Sequence, residues 1–86
     1  IETAYTIMNG EYEVIEAEII ETSELINKEL KNSNLPDEIR IGAVLRENKV
    51  IIPRSNFVFQ KEDKVVFLAK KDSISVVENI FRISSI

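Results

Sequence analysis

A chain of 86 residues with 44% hydrophobic residues and a net charge of −4 folds as one domain whose core is small, leaving roughly 35–40% of the unfolded chain's surface uncovered. It contains neither cysteine nor histidine, which excludes disulfides, zinc fingers, thiol nucleophiles, Ser-His-Asp triads and imidazole bases. The acidic balance argues against general phosphate-backbone binding, which needs a basic face to release counterions, so nucleic acid is not expected as a partner.

No run approaches the ~18–20 apolar residues of a membrane span, and the N-terminus lacks the regions of a signal peptide, so a soluble cytosolic chain is expected. It starts at Ile1 and opens directly into strand-like sequence, so it is expected to be a piece of a longer protein. With no disulfide available, a subunit interface is one way to bury the remaining apolar surface.

Ala4 to Met8, Asn9-Gly10 and Glu11 to Ile20 read as a β-hairpin, since Asn-Gly suits a type I′ turn in which both central residues need positive φ. In its second strand Ile15, Ala17 and Ile19 alternate with Glu16 and Glu18, the period-two pattern of a sheet with one wet face. The acidic residues Glu11, Glu13, Glu16, Glu18, Glu21 and Glu24 raise the question of a hard-cation site. Within a strand only Glu16 and Glu18 share a face, no Gly-punctuated Asp/Asn loop accompanies them, and a solvated strand face accounts for the pattern, so no metal is expected. The same scarcity of converging carboxylates counts against a hydrolase.

Thr22 and Ser23 offer N-caps for a short helix from Glu24 to about Lys31, with Leu25, Ile26 and Leu30 as its apolar stripe and Lys28 and Lys31 toward its negative end. Asn32-Ser33-Asn34 ends it, and Leu35-Pro36 leads into a central hairpin. There Arg40 to Arg46 and Lys49 to Ile52 are strands around Glu47-Asn48. A two-residue turn sets Arg46 opposite Lys49, Leu45 opposite Val50, Val44 opposite Ile51 and Ala43 opposite Ile52. One face then holds Ile41, Ala43, Leu45, Val50 and Ile52, the expected core. The other holds Gly42, Val44, Arg46, Lys49 and Ile51, a mixture that suits a subunit contact, a small anionic ligand or a half-solvated sheet face.

Beyond Pro53, Phe57 and Phe59 share a side if their segment is extended, with core as the default for both rings. Gln60-Lys61-Glu62-Asp63 is a polar turn. Val65 to Ala69 reads as a strand covered on both faces. Asp72 or Ser73 caps a final helix carrying Ile74, Val77, Ile80 and Phe81 at helical spacing, and Ile83 and Ile86 follow in the tail. The fold class is α+β: an N-terminal β-hairpin, a short helix, a central β-hairpin, further strand(s) and a C-terminal helix.

This order, with Glu16-Ala17-Glu18, Thr22-Ser23, Leu35-Pro36, Ile41-Gly42-Ala43-Val44-Leu45-Arg46, Ile51-Ile52-Pro53 and Asp63-Lys64-Val65-Val66-Phe67, resembles the C-terminal domain of regulators of potassium conductance, the TrkA C-terminal domain. Glu78-Asn79-Ile80-Phe81-Arg82 resembles the end of Trk potassium-uptake regulators. Many members have Gly-Lys where this chain has Asn27-Lys28, and Gly-Asp where it has Glu62-Asp63, departures that bear on local turn geometry.

The resemblance implies a non-enzymatic, cytoplasmic regulatory domain spanning residues 1–86, peripheral to the inner face of the membrane through its parent. It implies a homodimer, a membrane potassium transporter as the parent's partner, and a small nucleotide-like effector, a cyclic dinucleotide in some branches, in the cleft between copies. No cofactor is expected here. NAD or ATP would sit on a Rossmann domain preceding residue 1, because the chain's two glycines, Gly10 and Gly42, cannot build a Gly-x-Gly-x-x-Gly turn. The expected effector contacts beside the central hairpin are Arg46 for an anionic group and Ile41, Val44 and Pro53 for an apolar surface, with Arg40 and Arg54 as second choices. A purely structural dimerisation domain without ligand, and an enzyme, are the competing readings. Arg46 separates the first two: a ligand arginine is accessible in a concave site, a structural one is spent on a carboxylate or carbonyl of the fold.

Overall fold

The computed structural model describes residues 2–81. Five strands, β1 (Glu2–Ile7), β2 (Tyr12–Glu18), β3 (Ile39–Arg46), β4 (Lys49–Ile51) and β5 (Lys64–Lys70), form one antiparallel sheet in the order β1-β2-β5-β3-β4, followed by α1 (Ile74–Phe81). This is the expected α+β class. The apolar run Val65 to Ala69 takes the central place, flanked by β2 and β3.

Alternation along the strands divides the sheet. Ile15 and Ala17 of β2, Val65, Phe67 and Ala69 of β5, and Ile39 and Val44 of β3 are buried on one face, together with Leu25, Phe59 and the α1 residues Val77, Ile80 and Phe81. Phe67 and Phe81 stack with ring centroids 5.0 Å apart, and the hydroxyl of Ser23 donates to the carbonyl of Ile80 at 2.9 Å, tying the loop after β2 to the end of the helix. Val66 and Leu68, on the other face, are only half-buried. Among the described residues β5 is thus fully covered on one side and only partly on the other, where cover on both was expected.

Both hairpins form. In the central one Glu47 and Asn48 take φ of 51° and 64°, and Val44, Leu45 and Arg46 face Ile51, Val50 and Lys49 as expected. Ala43 instead pairs with Val66, and β4 ends at Ile51. Ile41 packs against the core as expected, but from Ala43 onward the core face is the reverse of the one expected. Val44 is fully buried, whereas Val50 and Ile52 are 68% and 71% exposed. A register irregularity between Ile41 and Ala43 adds a residue to the alternation, so Ile39 and Ile41 before it share the core side with Val44 after it. In the first hairpin the positive φ values fall on Met8, Asn9 and Gly10, with Ile7 paired to Tyr12, so the loop is longer than the two-residue Asn9-Gly10 turn.

The short helix at Glu24 to Lys31 does not form. Ser23 Oγ does accept from the Leu25 amide at 3.2 Å, but the chain turns at Asn27 (φ 65°) and then runs against residues 55–59. Asn27 donates to the Phe59 carbonyl, Phe59 to that of Lys28, Leu30 to that of Phe57 and Lys31 to that of Ser55. Helix survives only as a 3₁₀ turn at Leu30–Asn32. A stretch this short cannot recover helix nucleation cost by itself, and pairing with residues 55–59 satisfies its backbone instead. That pairing sets Phe57 and Phe59 on one side, edge to face at 5.4 Å. At the final helix a 3₁₀ turn, Lys71–Ser73, replaces the expected side-chain cap. The tail isoleucines Ile83 and Ile86 lie outside the described residues.

Asn27 and Glu62, the two positions at which the resemblance implied glycine, both adopt positive φ, 65° and 73°. Asparagine tolerates that region and glutamate does not. Glu62→Gly is therefore expected to raise stability by roughly 0.5–1 kcal/mol, the relief of left-handed strain less the entropy glycine loses on folding. Urea denaturation measures it, and an unchanged or lower midpoint would contradict the strain.

Candidate functional site

Arg46 ends β3 on the core side of the sheet, and Asp63 precedes β5 in phase with Val65 and Phe67. Their side chains meet. Arg46 Nε donates to Asp63 Oδ1 at 2.8 Å and Nη2 to Oδ2 at 2.7 Å, while the Gln60 amide donates to Oδ2 at 2.9 Å. Arg46 Nη2 also donates to the Val58 carbonyl at 2.9 Å, and the guanidinium lies 4.9 Å from the Phe57 ring centroid. The Asp63 side chain is 1% exposed and that of Arg46 is 25%. Hydrogen bonding to Asp63 raises the Arg46 pKa above its ordinary value against the opposing effect of burial, and the charges of Asp63 and Glu47 add to the rise. A buried carboxylate needs this set of donors, because unpaired it would cost several kcal/mol.

The clasp extends through the backbone. The Ile19 amide donates to the Asp63 carbonyl and the Glu62 amide to the Ile19 carbonyl, each at 2.8 Å, so Arg46 holds together the end of β3, the Phe57 segment, the 60–63 turn and the chain leaving β2. By the criterion set for it, Arg46 is spent within the fold. Val44 is fully buried and offers no surface to a ligand, so it belongs to the core.

Arg40 and Ile41 come together elsewhere. With Lys31, Asn34, Leu35 and Ile39 they line an open recess of about 340 Å³ between the Leu30–Asn32 turn and the start of β3. Pro53 and Arg54 do not line it. Neither Lys31 nor Arg40 is in an ion pair among the described residues. Two uncompensated cations beside Leu35, Ile39 and Ile41 give a recess that fits an anionic group attached to an apolar body. Among the described residues no three acidic side chains converge as metal ligands.

The architecture, an antiparallel five-stranded sheet followed by one C-terminal helix among the described residues, defines a small α+β domain. The chain belongs to the TrkA-C domain family, whose pattern matches residues 14–82. It is 39% identical over 98% of its length to the Trk system potassium uptake protein TrkA of Azorhizobium caulinodans, and spans 18% of that protein. The fold matches the RCK_C domain dimer of S. agalactiae BusR in complex with c-di-AMP with a TM-score of 0.71, at 23% identity, over 83% of this chain and 97% of that one. It also matches S. agalactiae BusR in complex with its busAB-promotor DNA, with a TM-score of 0.70 at 24% identity, over 83% of this chain and 37% of that one. The expectation of no nucleic-acid partner, which rested on charge alone, is not supported by these comparisons.

Arg46→Lys keeps the charge but loses the planar fork, and is expected to destabilise the domain by about 1–2 kcal/mol. Arg46→Ala strands the buried Asp63 and is expected to cost about 3 kcal/mol. Chemical denaturation of both variants checks the order, and equal midpoints for wild type and Arg46→Ala would contradict the clasp.

Proposed function

We propose that this chain is the regulatory and dimerisation module of a potassium-uptake system, and that two copies form a cleft beside the central hairpin where a small nucleotide-like anion is sensed. The observation that carries the reading is the recess in which Arg40 and Lys31, cations without carboxylate partners, stand beside the aliphatic side chains of Leu35, Ile39 and Ile41. In a chain of net charge −4, cations that could have been paired are left open. A guanidinium recognises phosphate through a planar fork, and a two-fold axis doubles each cation. Similarity to Trk potassium-uptake proteins supports the potassium system, and the c-di-AMP complex of a domain with this fold supports a cyclic dinucleotide as the first ligand to try.

On the same reading the module works at the cytoplasmic face of the membrane on a potassium transporter, as part of a parent whose NAD- or ATP-binding Rossmann domain precedes it, and it performs no catalysis of its own. The expected contacts are redistributed. Arg40 takes the anion and Ile41 the apolar surface, with Pro53 and Arg54 at the margin, and Arg46 acts indirectly by holding the hairpin. A second reading, dimerisation without a ligand, is favoured by the commitment of Arg46 to Asp63.

Calorimetric titration of a nucleotide panel that includes c-di-AMP separates the two. Binding to wild type with roughly tenfold or greater weakening in Arg40→Ala, the loss of one charge-assisted contact of about 1.5–3 kcal/mol, is the expected result. If no nucleotide binds wild type, or one binds both proteins equally, the ligand-free reading replaces this one.

A further inference from the structure

The apolar run Val65 to Ala69 has the composition of a strand covered on both faces, yet the described residues fully cover only one. The helix α1, Leu25 and Phe59 all lie with Val65, Phe67 and Ala69. The strand registers place a second set of side chains on the opposite face. There Val66 and Leu68 of β5 are flanked by Ala43 of β3 and Val14 of β2, with Leu45 and Val50 beyond on one side and Tyr5 on the other. Val14, Ala43, Leu45, Val66 and Leu68 are half-buried, while Tyr5 and Val50 are 66% and 68% exposed. A contiguous apolar centre on an open sheet face is the surface that a further layer covers.

The charges around that centre select the layer. Lys64 and Lys70 stand at the two ends of β5, and Glu16 and Glu18 line the β2 side of the same face. None of the four is in an ion pair among the described residues, although Glu18 and Lys64 are opposite each other in the register. A second copy packed face to face and centred on β5 sets lysine against lysine at both ends of the strand, whether the two-fold axis runs along the strand or across it. Anionic lipid is repelled by the two glutamates and by a net charge of −4. An amphipathic helix meets every requirement, since it offers an apolar stripe to Val66 and Leu68 and separate charges to each flank and end. The Cα atoms of Lys64 and Lys70 are ~20 Å apart at ~3.3 Å per residue, a length that a helix covers in ~13 residues.

We propose that this open face docks an amphipathic α-helix of a partner protein, lying along β5 with its N-terminal end over Lys64 and its C-terminal end over Lys70. The direction follows from the helix dipole. Arg40, opposite Leu68 in the register, adds a second cation near the Lys70 end, which suits the negative C-terminus, whereas Glu18 lies at the Lys64 end. Acidic residues in the first turn of the helix then face Lys64, and basic residues along one flank face Glu16 and Glu18. The contact is separate from effector sensing and needs no nucleotide.

A synthetic peptide of about 15 residues, with leucines at helical spacing, glutamates in its first turn and lysines along one flank, tests the face. Titrated into isotope-labelled protein, it is expected to shift the amides of Val14, Val66 and Leu68 and to gain helical circular dichroism, while a scrambled peptide of the same composition does neither. Lys64 is exposed, so Lys64→Gln folds and is expected to weaken binding roughly twofold to fivefold, the range of one exposed ion pair. A peptide with glutamines in its first turn is expected to bind wild type and Lys64→Gln equally. No binding of the striped peptide, equal binding of the scrambled one, or shifts confined to the recess or to α1 overturns the proposal. Shifts at Val14, Val66 and Leu68 that follow protein concentration without peptide show a second copy on the face and also overturn it. Equal binding of the glutamate peptide to wild type and Lys64→Gln overturns the orientation along β5.

Discussion

A carboxylate placed in a protein core must be neutralised, and in this domain that requirement fixes the position of four segments at once. Asp63 is buried because β5 begins in phase with its core-facing residues, and Arg46 meets its carboxylate with two parallel hydrogen bonds and the Gln60 amide with a third. The geometry is stringent. A guanidinium fork engages both carboxylate oxygens only if β3 reaches its full length and the 60–63 turn closes at the correct height. Arg46 also touches the Val58 carbonyl and the face of Phe57, so the 55–59 segment that pairs with the expected first helix is held by the same side chain. The strained φ of Glu62 is the local cost of closing that turn.

The parts of this fold that were legible in the sequence are those controlled by local chemistry. Glu47-Asn48 determines the register of its hairpin through two positive φ values, and Val77, Ile80 and Phe81 place the final helix on the sheet through their spacing. The parts that were not legible depend on distant partners. Glu24 to Lys31 has the cap and the apolar stripe of a helix, yet it is divided into turns, one bridge at Glu29 and the start of a 3₁₀ turn, held by hydrogen bonds to residues 55–59. Strict alternation from the turn set Ile41, Ala43, Leu45, Val50 and Ile52 on the core face, and this holds for Ile41 but not for the rest, because one irregularity beside Gly42 shifts the alternation halfway along β3. An exposed glycine inside a strand is a recognised signal of such a shift.

The site was legible only in part, for a related reason. Arg40 and Ile41 were among the candidates and line the recess, but Lys31 and Asn34 were assigned to a helix and its end, so nothing in their spacing pointed toward β3. Arg46 was singled out as the informative arginine, and its guanidinium is engaged by Asp63 and the Val58 carbonyl. Its partner could have been found: Asp63, Val65, Phe67 and Ala69 lie two residues apart, which sets Asp63 on the buried face and demands a cation. With Arg46 committed to Asp63 and Arg40 in no ion pair among the described residues, the cation most suited to an external anion lies at the start of β3.

The central claim is that Arg46 and Asp63 act as one unit that holds the domain together. A double-mutant cycle with Arg46→Ala, Asp63→Ala and the combined variant, measured by denaturant unfolding, isolates their coupling from the other contacts each residue makes. Coupling of about 2 kcal/mol or more, with the double variant no less stable than Arg46→Ala alone, is the predicted result. Additive losses, with coupling near zero, would show that the two side chains contribute separately and would contradict the account.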